Sequence, residues 1–436
     1  MDSQHFYRPP ARFLTPGNMA LIILMCVGGI ITVYRFVLGL GATTSLSDQY
    51  PWGMWVAFDV ICGVALAAGG FTTAAVVYIF TGEKYHGLVR PAILTGFIGY
   101  IFVAIGLTVD LGIPWHIYHP IFYWPKHSAL FEVAWCVMLY LTVLGLEFLP
   151  SVFERFGWNK LQDLLFRFTP AIVVVILSWF TFIMSKSVIW AGAAFVVLAM
   201  LALFLPRLMS RREGVPIVLI IAGILLSTAH QSSLGTLFLL MPDKLHPLWW
   251  TPMLPVNFYI SAIAVGFAMV IFESTLSSTN FGQPVEGEAL AGMSLILCYI
   301  LGVNFVVRLA DILVRGEFMA FFSGMGALYI VELAVGVIIP MVVFYNKRMR
   351  NQTWMRFGAA SLVIFGLIFN RFNVTLFAMS RPGEGFYFPS PEELLISAGL
   401  VASIIFFFGI MVRSFPVLPA LAHGHAAPAP GQGEAG

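Results

Sequence analysis

Stretches of about 20 apolar residues recur along this chain, and this pattern restricts its fold more than any other feature. A helix that spans a bilayer needs roughly that length, and every backbone polar group inside the bilayer must be satisfied within the structure. Only 10% of the residues are charged, compared with about 25% in soluble domains. The sequence therefore predicts an all-α, polytopic integral membrane protein with about 12 transmembrane helices, at residues 19–40, 54–81, 92–113, 128–149, 169–185, 187–206, 216–241, 254–275, 290–313, 322–345, 355–378 and 393–413.

The distribution of basic residues predicts the orientation of these helices. With both termini in the cytoplasm, 15 Lys and Arg side chains fall in cytoplasmic segments and 5 in outer loops, as the positive-inside rule requires. The segments at 169–185 and 187–206 are separated only by Ser-Lys-Ser, and a single span here would reverse the charge bias of the second half. We therefore expect a helical hairpin there, in a multi-pass protein of the bacterial inner membrane.

Cysteine and histidine positions limit the redox groups that the chain itself could hold. The four cysteines (Cys26, Cys62, Cys136 and Cys298) are isolated, whereas an iron–sulfur cluster takes about four neighbouring thiolates. Of nine histidines only His230 falls inside a predicted span, and a bis-histidine haem needs two. We therefore expect no haem, no iron–sulfur cluster and no metal site. The formal net charge of +2 gives no indication of nucleic acid binding.

Charged residues inside predicted spans are rare and usually functional, and four of them share one depth. Arg35 lies near the outer end of the first span, Asp59 one to two turns into the second, Asp110 near the end of the third, and Glu132 at the start of the fourth. One interpretation is a buried ion-pair network that holds the bundle together. The other is a lipid-accessible pocket near the outer surface that binds a small redox molecule and exchanges protons with it. A quinone fits this second interpretation.

A second, looser set of polar side chains lies elsewhere in the predicted spans: Glu147, His230, Arg308, Glu332 and Arg371. These groups could form a proton path, and static packing explains them at least as well. Arg308 and Asp311 are three residues apart on one helical face and could simply pair. His230 lies near the midplane within STAHQSSLGT (227–236), where packing by hydrogen bonds and proton relay both stay open.

The predicted outer loops at 113–128, 242–253 and 381–393 are rich in Pro, Trp, Tyr and His. An aromatic belt at the membrane interface is one explanation for such loops. A docking surface, on which aromatic side chains anchor an extracytoplasmic partner, is the other. His116 and His119 in the first loop are candidates for a lid over the pocket.

Nine motifs, in order along most of the chain, resemble the NrfD/polysulfide-reductase family of quinone-interacting membrane subunits. They are YRFVLGLG (34–41), PWGMWVAFDV (51–60), KYHGLVRPA (84–92), ALFEVAWCVMLY (129–140), LEFLPSVFERFGW (146–158), HQSSLGTL (230–237), HPLW (246–249), IFES (271–274) and FYFPSPEELLISAG (386–399). Within the family, the chain looks most like the HybB-type membrane subunit of periplasmic nickel–iron hydrogenases.

This resemblance implies two four-helix bundles plus flanking helices, with a menaquinone or ubiquinone site in the N-terminal bundle near the periplasmic face. It also implies that a periplasmic iron–sulfur subunit, together with a catalytic or cytochrome subunit of the same complex, supplies electrons. Hydrogenase-type members pass from FERFGW to HQSS through one span, whereas about 70 residues intervene here. The subfamily and the electron donor therefore stay open.

We accordingly predict a quinone-interacting subunit of a respiratory redox complex, with proton uptake and a potential coupling to proton translocation. The alternatives are a twelve-helix secondary transporter and a structural anchor without a quinone site. Proton exchange is predicted for Asp59, Asp110 and Glu132, and quinone binding for the same three residues with Arg35, His116 and His119.

The predicted organisation has five parts. They are a cytoplasmic N-terminus (1–18), an N-terminal bundle with the quinone site (19–149), a connecting segment with the extra hairpin (150–206), a C-terminal bundle with the last helix (207–413) and a disordered cytoplasmic tail (414–436).

Overall fold

Each of the twelve predicted apolar segments forms a helix in the computed structural model. The structure describes residues 15–48, 50, 52–79, 83–125, 128–204, 211–212, 215–282, 286–379 and 387–418. The predicted N-terminus before residue 15, part of the third outer loop and the tail from residue 419 lie outside these ranges. The long helices are α1 (Pro16–Leu38), α2 (Trp55–Ile79), α3 (Val89–Asp110), α4 (Ala129–Phe156), α5 (Asn159–Ser185), α6 (Val188–Phe204), α7 (Ile217–Leu239), α8 (Leu254–Phe281), α9 (Gly287–Arg315), α10 (Gly324–Tyr345), α11 (Thr353–Thr375) and α12 (Pro391–Ser414).

Short elements connect these helices. Among the described residues, one antiparallel pair of two-residue strands, β1 (Arg211–Arg212) and β2 (Val215–Pro216), precedes α7. The other connections are 3₁₀ or single helical turns at Leu40–Ala42, Glu83–Leu88, Pro114–Tyr118, His119–Phe122, Glu317–Phe322, Lys347–Arg350 and Phe377–Met379. We call the end of the bundle that carries the 111–128 loop the outer end, after the orientation predicted from the basic residues.

Eleven of the long helices have the length and apolar composition of membrane spans, and α6, with 17 residues, is shorter. The prediction of a polytopic all-α membrane protein is confirmed. Helices α5 and α6 pack against each other and meet at Lys186, whose φ of 55° turns the chain sharply. The region therefore contains two helices rather than one, as the hairpin interpretation requires.

The helices form two groups of four with flanking helices. In the first group, α2, α3, α4 and α7 pack around one core. In the second group, α8 packs against α9 and α11, and α10 packs against α9 and α11 as well. Helices α2 and α7 also contact α8, which joins the groups. Helix α1 lies along α12 rather than within the first group, and the α5–α6 hairpin lies against α4 and α7. The sequence-based boundaries at 149 and 207 stay predictions.

Helix α2 is irregular along most of its length. It has wide π-type turns at Trp55–Cys62 and Ala75–Ile79, and a turn at residues 67–68 interrupts it between Gly63–Leu66 and Gly69–Ala74. The neighbouring helix α3 approaches closely at this break, since a Cβ added at Gly99 would lie 2.9 Å from the Cβ of Ala67. Wide turns of this kind often occur at functional sites, and the first contains Asp59.

Candidate functional site

Three of the four residues predicted to share a depth form an outer cluster, which we define as Arg35, Asp59 and Asp110. They come from the outer ends of α1, α2 and α3. The charge of Asp110 interacts with that of Arg35 and with that of Asp59. Arg35 is 1% exposed and donates a hydrogen bond to the carbonyl oxygen of Leu111, the residue after Asp110. Asp59 is also buried, whereas Asp110 is only half-buried.

Asp59 is held from two sides. Its carboxylate accepts a hydrogen bond from the Ser397 hydroxyl on α12 at 2.6 Å. On the other side lies Gly106 of α3, where an added Cβ would lie 3.0 Å from the Cβ of Asp59. A larger residue at position 106 would therefore push α3 away from α2. The wide turn of α2, the glycine of α3 and the serine of α12 together fix the position of this carboxylate.

Glu393, at the start of α12, belongs to the same neighbourhood, and we did not predict it from the sequence. Its carboxylate accepts hydrogen bonds from the Tyr387 hydroxyl and from the backbone N–H groups of Ser45 (3.0 Å) and Ser390 (2.9 Å). Its charge also acts on Asp110. Glu393 thus ties the 39–54 loop to the outer cluster. The signal was present in the sequence, because Ser390 and Glu393 form the S-x-x-E capping box of a helix.

The Tyr387 hydroxyl lies outside the helices and connects three segments. It donates to Glu393 and accepts a hydrogen bond from the backbone N–H of Met54 at 2.8 Å. Burial and the neighbouring carboxylate raise the pKa of this phenol. It therefore stays protonated over the physiological pH range and keeps donating to Glu393.

Glu132 does not join the outer cluster. Among the described residues, its carboxylate pairs with the Lys186 ammonium group at 2.7 Å, where α5 turns into α6. An aromatic group beside this pair contains Trp124, Trp135 and Trp179, with centroids of neighbouring rings 5.3 Å apart. Glu132 lies at a depth similar to that of the outer cluster, but it is on the side of α4 that faces the α5–α6 hairpin. Depth alone therefore did not predict its pairing with Lys186.

The two loop histidines lie next to each other. The rings of His116 and His119 stack with centroids 3.9 Å apart. Their loop is tied to α4 by a hydrogen bond from Trp135 Nε1 to the carbonyl oxygen of Pro120 at 2.9 Å. No hydrogen bond or ion pair in the described residues joins either histidine to Asp59 or Asp110, so a lid role stays a prediction.

A central polar column, which we define as Tyr100, Tyr140, Ser227 and His230, lies among α3, α4 and α7. The Tyr100 ring is 4.7 Å from that of Tyr140 and 5.8 Å from that of His230, measured between centroids. Ser227 lies beside both phenols. Within the described residues, the two phenol oxygens, the serine hydroxyl and both imidazole nitrogens are buried and make no well-aligned hydrogen bond with protein, although the serine hydroxyl lies close to both phenol oxygens. Such groups in native proteins usually bind ordered water.

The rest of the STAHQSSLGT segment has packing roles. Gln231 donates to the carbonyl oxygen of Val64 at 2.9 Å, just before the break in α2. Thr228 donates to the carbonyl oxygen of Ile224 within its own helix. Ser232 likewise bonds to its own helix. The amide of Gln231 thus supports the irregular backbone of α2, while His230 faces the column.

Glu147 lies below this column, toward the inner end. It is buried on α4, two helical turns from Tyr140, which is about 10 Å along the axis. A Cβ added at Gly223 of α7 would lie 3.3 Å from its carboxylate. Glu147 also lines a cavity of about 20 Å³ with Arg90 and Ser151, which is large enough for a water molecule.

The second group of helices holds a denser network, centred on Glu332 of α10. Its carboxylate accepts hydrogen bonds from Arg308, from Trp249 Nε1 at 2.9 Å, from Asn370 at 2.8 Å and from Asn373 at 2.7 Å. A carboxylate has about four lone-pair sites, so these four donors saturate it. Glu332 is 1% exposed.

Arg371, on α11, is the second cation of this network. Its guanidinium group donates to Asn370 Oδ1 at 2.6 Å and to Ser261 Oγ at 2.8 Å, and it lies 3.6 Å from the centroid of the Phe258 ring. These direct partners are neutral. The side chain is 1% exposed.

Arg308 and Asp311, which could have paired along one helix, have other partners. Arg308 pairs with Glu332 on the facing helix. Asp311 accepts a hydrogen bond from Thr251 at 2.6 Å and pairs with Arg315 at 3.0 Å. Spacing along one helix allowed the first pairing, but the direction of the Arg308 side chain is set by Glu332 and by the Tyr329 hydroxyl.

Metal-binding groups are dispersed. In the ranges that the structure describes, no cluster of three or more His, Cys, Asp or Glu side chains could hold a metal ion. The four cysteines are free. His86 lies in the turn at Glu83–Leu88 that leads into α3, and its ring is 5.7 Å from that of Tyr78. The haem-free expectation stays a prediction. The ring contact observed for His230 is with Tyr100.

Comparison with known proteins supplies the family. The model of the family described as "Polysulphide reductase, NrfD" matches residues 42–380. The chain is 35% identical over 416 residues to a protein of Nitratidesulfovibrio vulgaris, covering 93% of this chain and 95% of that one. It is 32% identical over 411 residues to the probable Ni/Fe-hydrogenase 2 b-type cytochrome subunit of Escherichia coli, with 92% and 91% covered. It is 25% identical over 428 residues to the menaquinone reductase integral membrane subunit of N. vulgaris, with the same coverage of 92% and 91%. The chain therefore belongs to the NrfD family.

Proposed function

We propose that this chain is the quinone-interacting membrane subunit of a respiratory redox complex in the bacterial inner membrane. The observation that carries the proposal is the outer cluster, in which three helices bring Arg35, Asp59 and Asp110 together near one membrane surface. Relatives that are named as subunits of a hydrogenase and of a menaquinone reductase support it. Buried charges within spans are costly and usually functional.

The chemistry of quinone reduction suits these residues. A quinone that accepts two electrons also takes up two protons, and its oxygens need hydrogen-bond donors. The half-buried carboxyl of Asp110 is positioned to exchange protons, and the buried carboxyl of Asp59 can take part through its hydrogen bond to Ser397. The guanidinium of Arg35 offsets one of their two negative charges. The substrate is menaquinone or ubiquinone, and it enters from the lipid phase.

Electrons reach this site from a partner on the outer side. We propose a periplasmic iron–sulfur subunit, which works with a catalytic or cytochrome subunit of the same complex. Exposed aromatic side chains on two outer segments support a docking surface, with Trp115 and Phe122 in one loop and Phe318 and Phe322 in another. Aromatic anchors are enriched where protein partners dock.

The first group of helices offers a proton path from the inner side. It begins at the cavity beside Glu147, passes the central polar column at Tyr140 and His230, and ends at Asp59. The polar atoms of the column that have no protein partner can bind water that relays protons. The predicted alternative through Arg308, Glu332 and Arg371 is less favourable, because two fixed guanidinium charges oppose proton passage.

Substitutions in the purified complex test the quinone site. We expect Asp59→Asn and Asp110→Asn to lower quinone-linked electron transfer about 100-fold or more, while the partner subunits still co-purify. Glu132→Gln is the matched control, because its carboxylate pairs with Lys186, and it should keep a rate close to wild type. Ser397→Ala provides a milder change at Asp59. Wild-type rates in both aspartate variants would refute the assignment.

The same preparation separates the alternatives. Co-purified iron–sulfur subunits and bound quinone support the redox subunit, whereas an isolated chain stabilised by a solute supports a transporter. An intact complex without bound quinone, and with full activity in all variants, supports a structural anchor. An absorption spectrum also tests the haem-free prediction, which matters because the E. coli relative is named a b-type cytochrome subunit.

A further inference from the structure

The second group of helices lines a small cavity, with apolar and polar side chains, that the proposed quinone function does not use. Its volume is about 50 Å³. This is room for a few water-sized particles and far too little for a quinone ring, since small-molecule pockets measure roughly 300 Å³ or more. Its polar lining consists of Asn257, Ser261, Asn304, Arg308, Glu332 and Asn370.

The charges at and behind this cavity do not balance. Arg308 and Glu332 line it, and Arg371 lies behind two other lining residues, Asn370 and Ser261. Arg308 and Arg371 contribute two positive charges, and in the described part of the chain Glu332 is the carboxylate whose charge acts on both. The nearby Asp311 is paired with Arg315, so that pair adds no net charge. The second group of helices therefore holds one excess positive charge, and it is surrounded largely by apolar side chains.

Burial makes this excess charge unfavourable unless something compensates it. Both guanidinium groups are largely buried, with the Arg308 side chain 11% exposed and Arg371 1% exposed. A buried charge without a counter-charge strongly destabilises a fold. The neutral partners of Arg371, which are Asn370, Ser261 and the Phe258 ring, orient it without neutralising it.

The cavity also has an unused donor. Asn304 is 4% exposed, it lines the cavity, and no hydrogen bond to its amide occurs among the described residues. It lies one helical turn before Arg308 on α9, so the two side chains approach the cavity from the same helix. Asn257 also lines the cavity, and its amide can present either its oxygen or its NH₂ group to an occupant.

We propose that this cavity binds a small inorganic monoanion of the size of chloride. Excess positive charge disfavours a cation, and the volume excludes a quinone or a carboxylic acid metabolite. Arg308 supplies a positive charge in the lining, and Arg371 supplies a second one from behind Asn370 and Ser261. Asn304 contributes its amide from α9. The anion lies between these helices and α10, and it stabilises their association. This site is independent of the proposed quinone chemistry.

Two measurements on the full chain, purified with whatever subunits accompany it, test the proposal. The first is the melting temperature at constant ionic strength as chloride replaces gluconate. We expect a rise on the order of 2–4 °C for the wild type at saturation, and loss of most of this rise in Asn304→Ala. Asn351→Ala, in an exposed turn between α10 and α11, is the matched control and should respond as the wild type does.

The second measurement is the anomalous signal of bromide in crystals of the wild-type chain. We expect a peak inside the cavity, in contact with Asn304 or Arg308. Arg371→Gln, which removes the excess charge, should abolish both the peak and the chloride response. If the cavity holds water alone and the melting temperature is the same in chloride and gluconate, the proposal is overturned, whether or not the two substituted proteins fold.

Discussion

Replacing Glu332 by glutamine tests the buried network of the second group most directly. The carboxylate accepts hydrogen bonds from Arg308, Trp249, Asn370 and Asn373. Glutamine keeps the shape but removes the charge, and its NH₂ group would face donors instead of acceptors. The substitution therefore leaves Arg308 buried without its counter-charge and leaves at least one other donor unsatisfied.

The structure sets the expected size of this effect. Removing one partner of a buried ion pair destabilises a protein by about 3–5 kcal/mol. The matched control is Glu154→Gln, which breaks an ion pair with Arg90 whose side chains are 27% and 40% exposed. An exposed pair of this kind contributes roughly 0–1 kcal/mol. We therefore expect the two substitutions, identical in chemistry, to differ at least threefold in destabilisation.

A thermal denaturation assay in detergent measures this difference. For a chain of 436 residues, we expect Glu332→Gln to lower the melting temperature on the order of 3–5 °C and Glu154→Gln to lower it by about 1 °C or less. Equal and small shifts for both would show that Glu332 is hydrated or that its donors find other acceptors. The description of a saturated carboxylate in an apolar core would then be incorrect.

Three further predictions concern the proton path, helix packing and pH. Glu147→Gln should slow quinone-linked proton uptake in oriented vesicles about 100-fold. Glu273→Gln should not, although Glu273 is also an inner carboxylate, half-buried and bonded to Thr95. Uptake only from the outer side would contradict the path. Gly366→Ala should lower the free energy of unfolding by about 1–3 kcal/mol or more, because its Cβ would lie 2.1 Å from the backbone of α10. In the same chemical denaturation series, Gly358→Ala should be neutral or stabilising, because a Cβ at this position of the same helix meets nothing within 4 Å. Burial lowers the pKa of His246, which lies in an outer loop, and a nearby glutamate opposes this shift only in part. The unfolded chain therefore binds a proton at His246 more readily than the folded chain does. The melting temperature should accordingly fall as the pH drops below about 6.5, and it should fall less in His246→Asn.

The helices and the family could be predicted from the sequence because both depend on local information. The length of an apolar run determines whether a segment can span a bilayer, and all twelve predicted segments are helices. The hairpin at 185–187 followed from the charge bias of the loops. The motifs that resembled the NrfD family were also local, and the family match over 42–380 confirms them.

The depth of a polar residue could be predicted too, but its partner could not. Counting residues along a span gives its position on the bundle axis, and Arg35, Asp59 and Asp110 were grouped correctly on that basis. The same count placed Glu132 beside them, although it faces Lys186 on the hairpin. The neighbour that a side chain contacts depends on how its helix is rotated about its own axis. The depth of a residue gives no information about this rotation.

Glu332 illustrates the same limit. As a lone acid in the middle of a span, it could have been a proton carrier or a packing element. Its four donors come from the loop before α8 and from α9 and α11, more than 20 positions away along the chain in every case. Their convergence saturates the carboxylate, and this could be read only from the assembled structure.

The sequence by itself determined that this chain is a polytopic helical membrane protein of a redox-linked family, because hydropathy and motifs are written along the chain. The tertiary structure decided which charges meet, which is a matter of helix rotation and neighbours. It separated Glu132 from the outer cluster, added Glu393 to it, and placed His230 in the central polar column with two tyrosines. It also brought Arg308 and Glu332 to the lining of a small cavity and Arg371 behind that lining, since only packed helices can bury an excess charge.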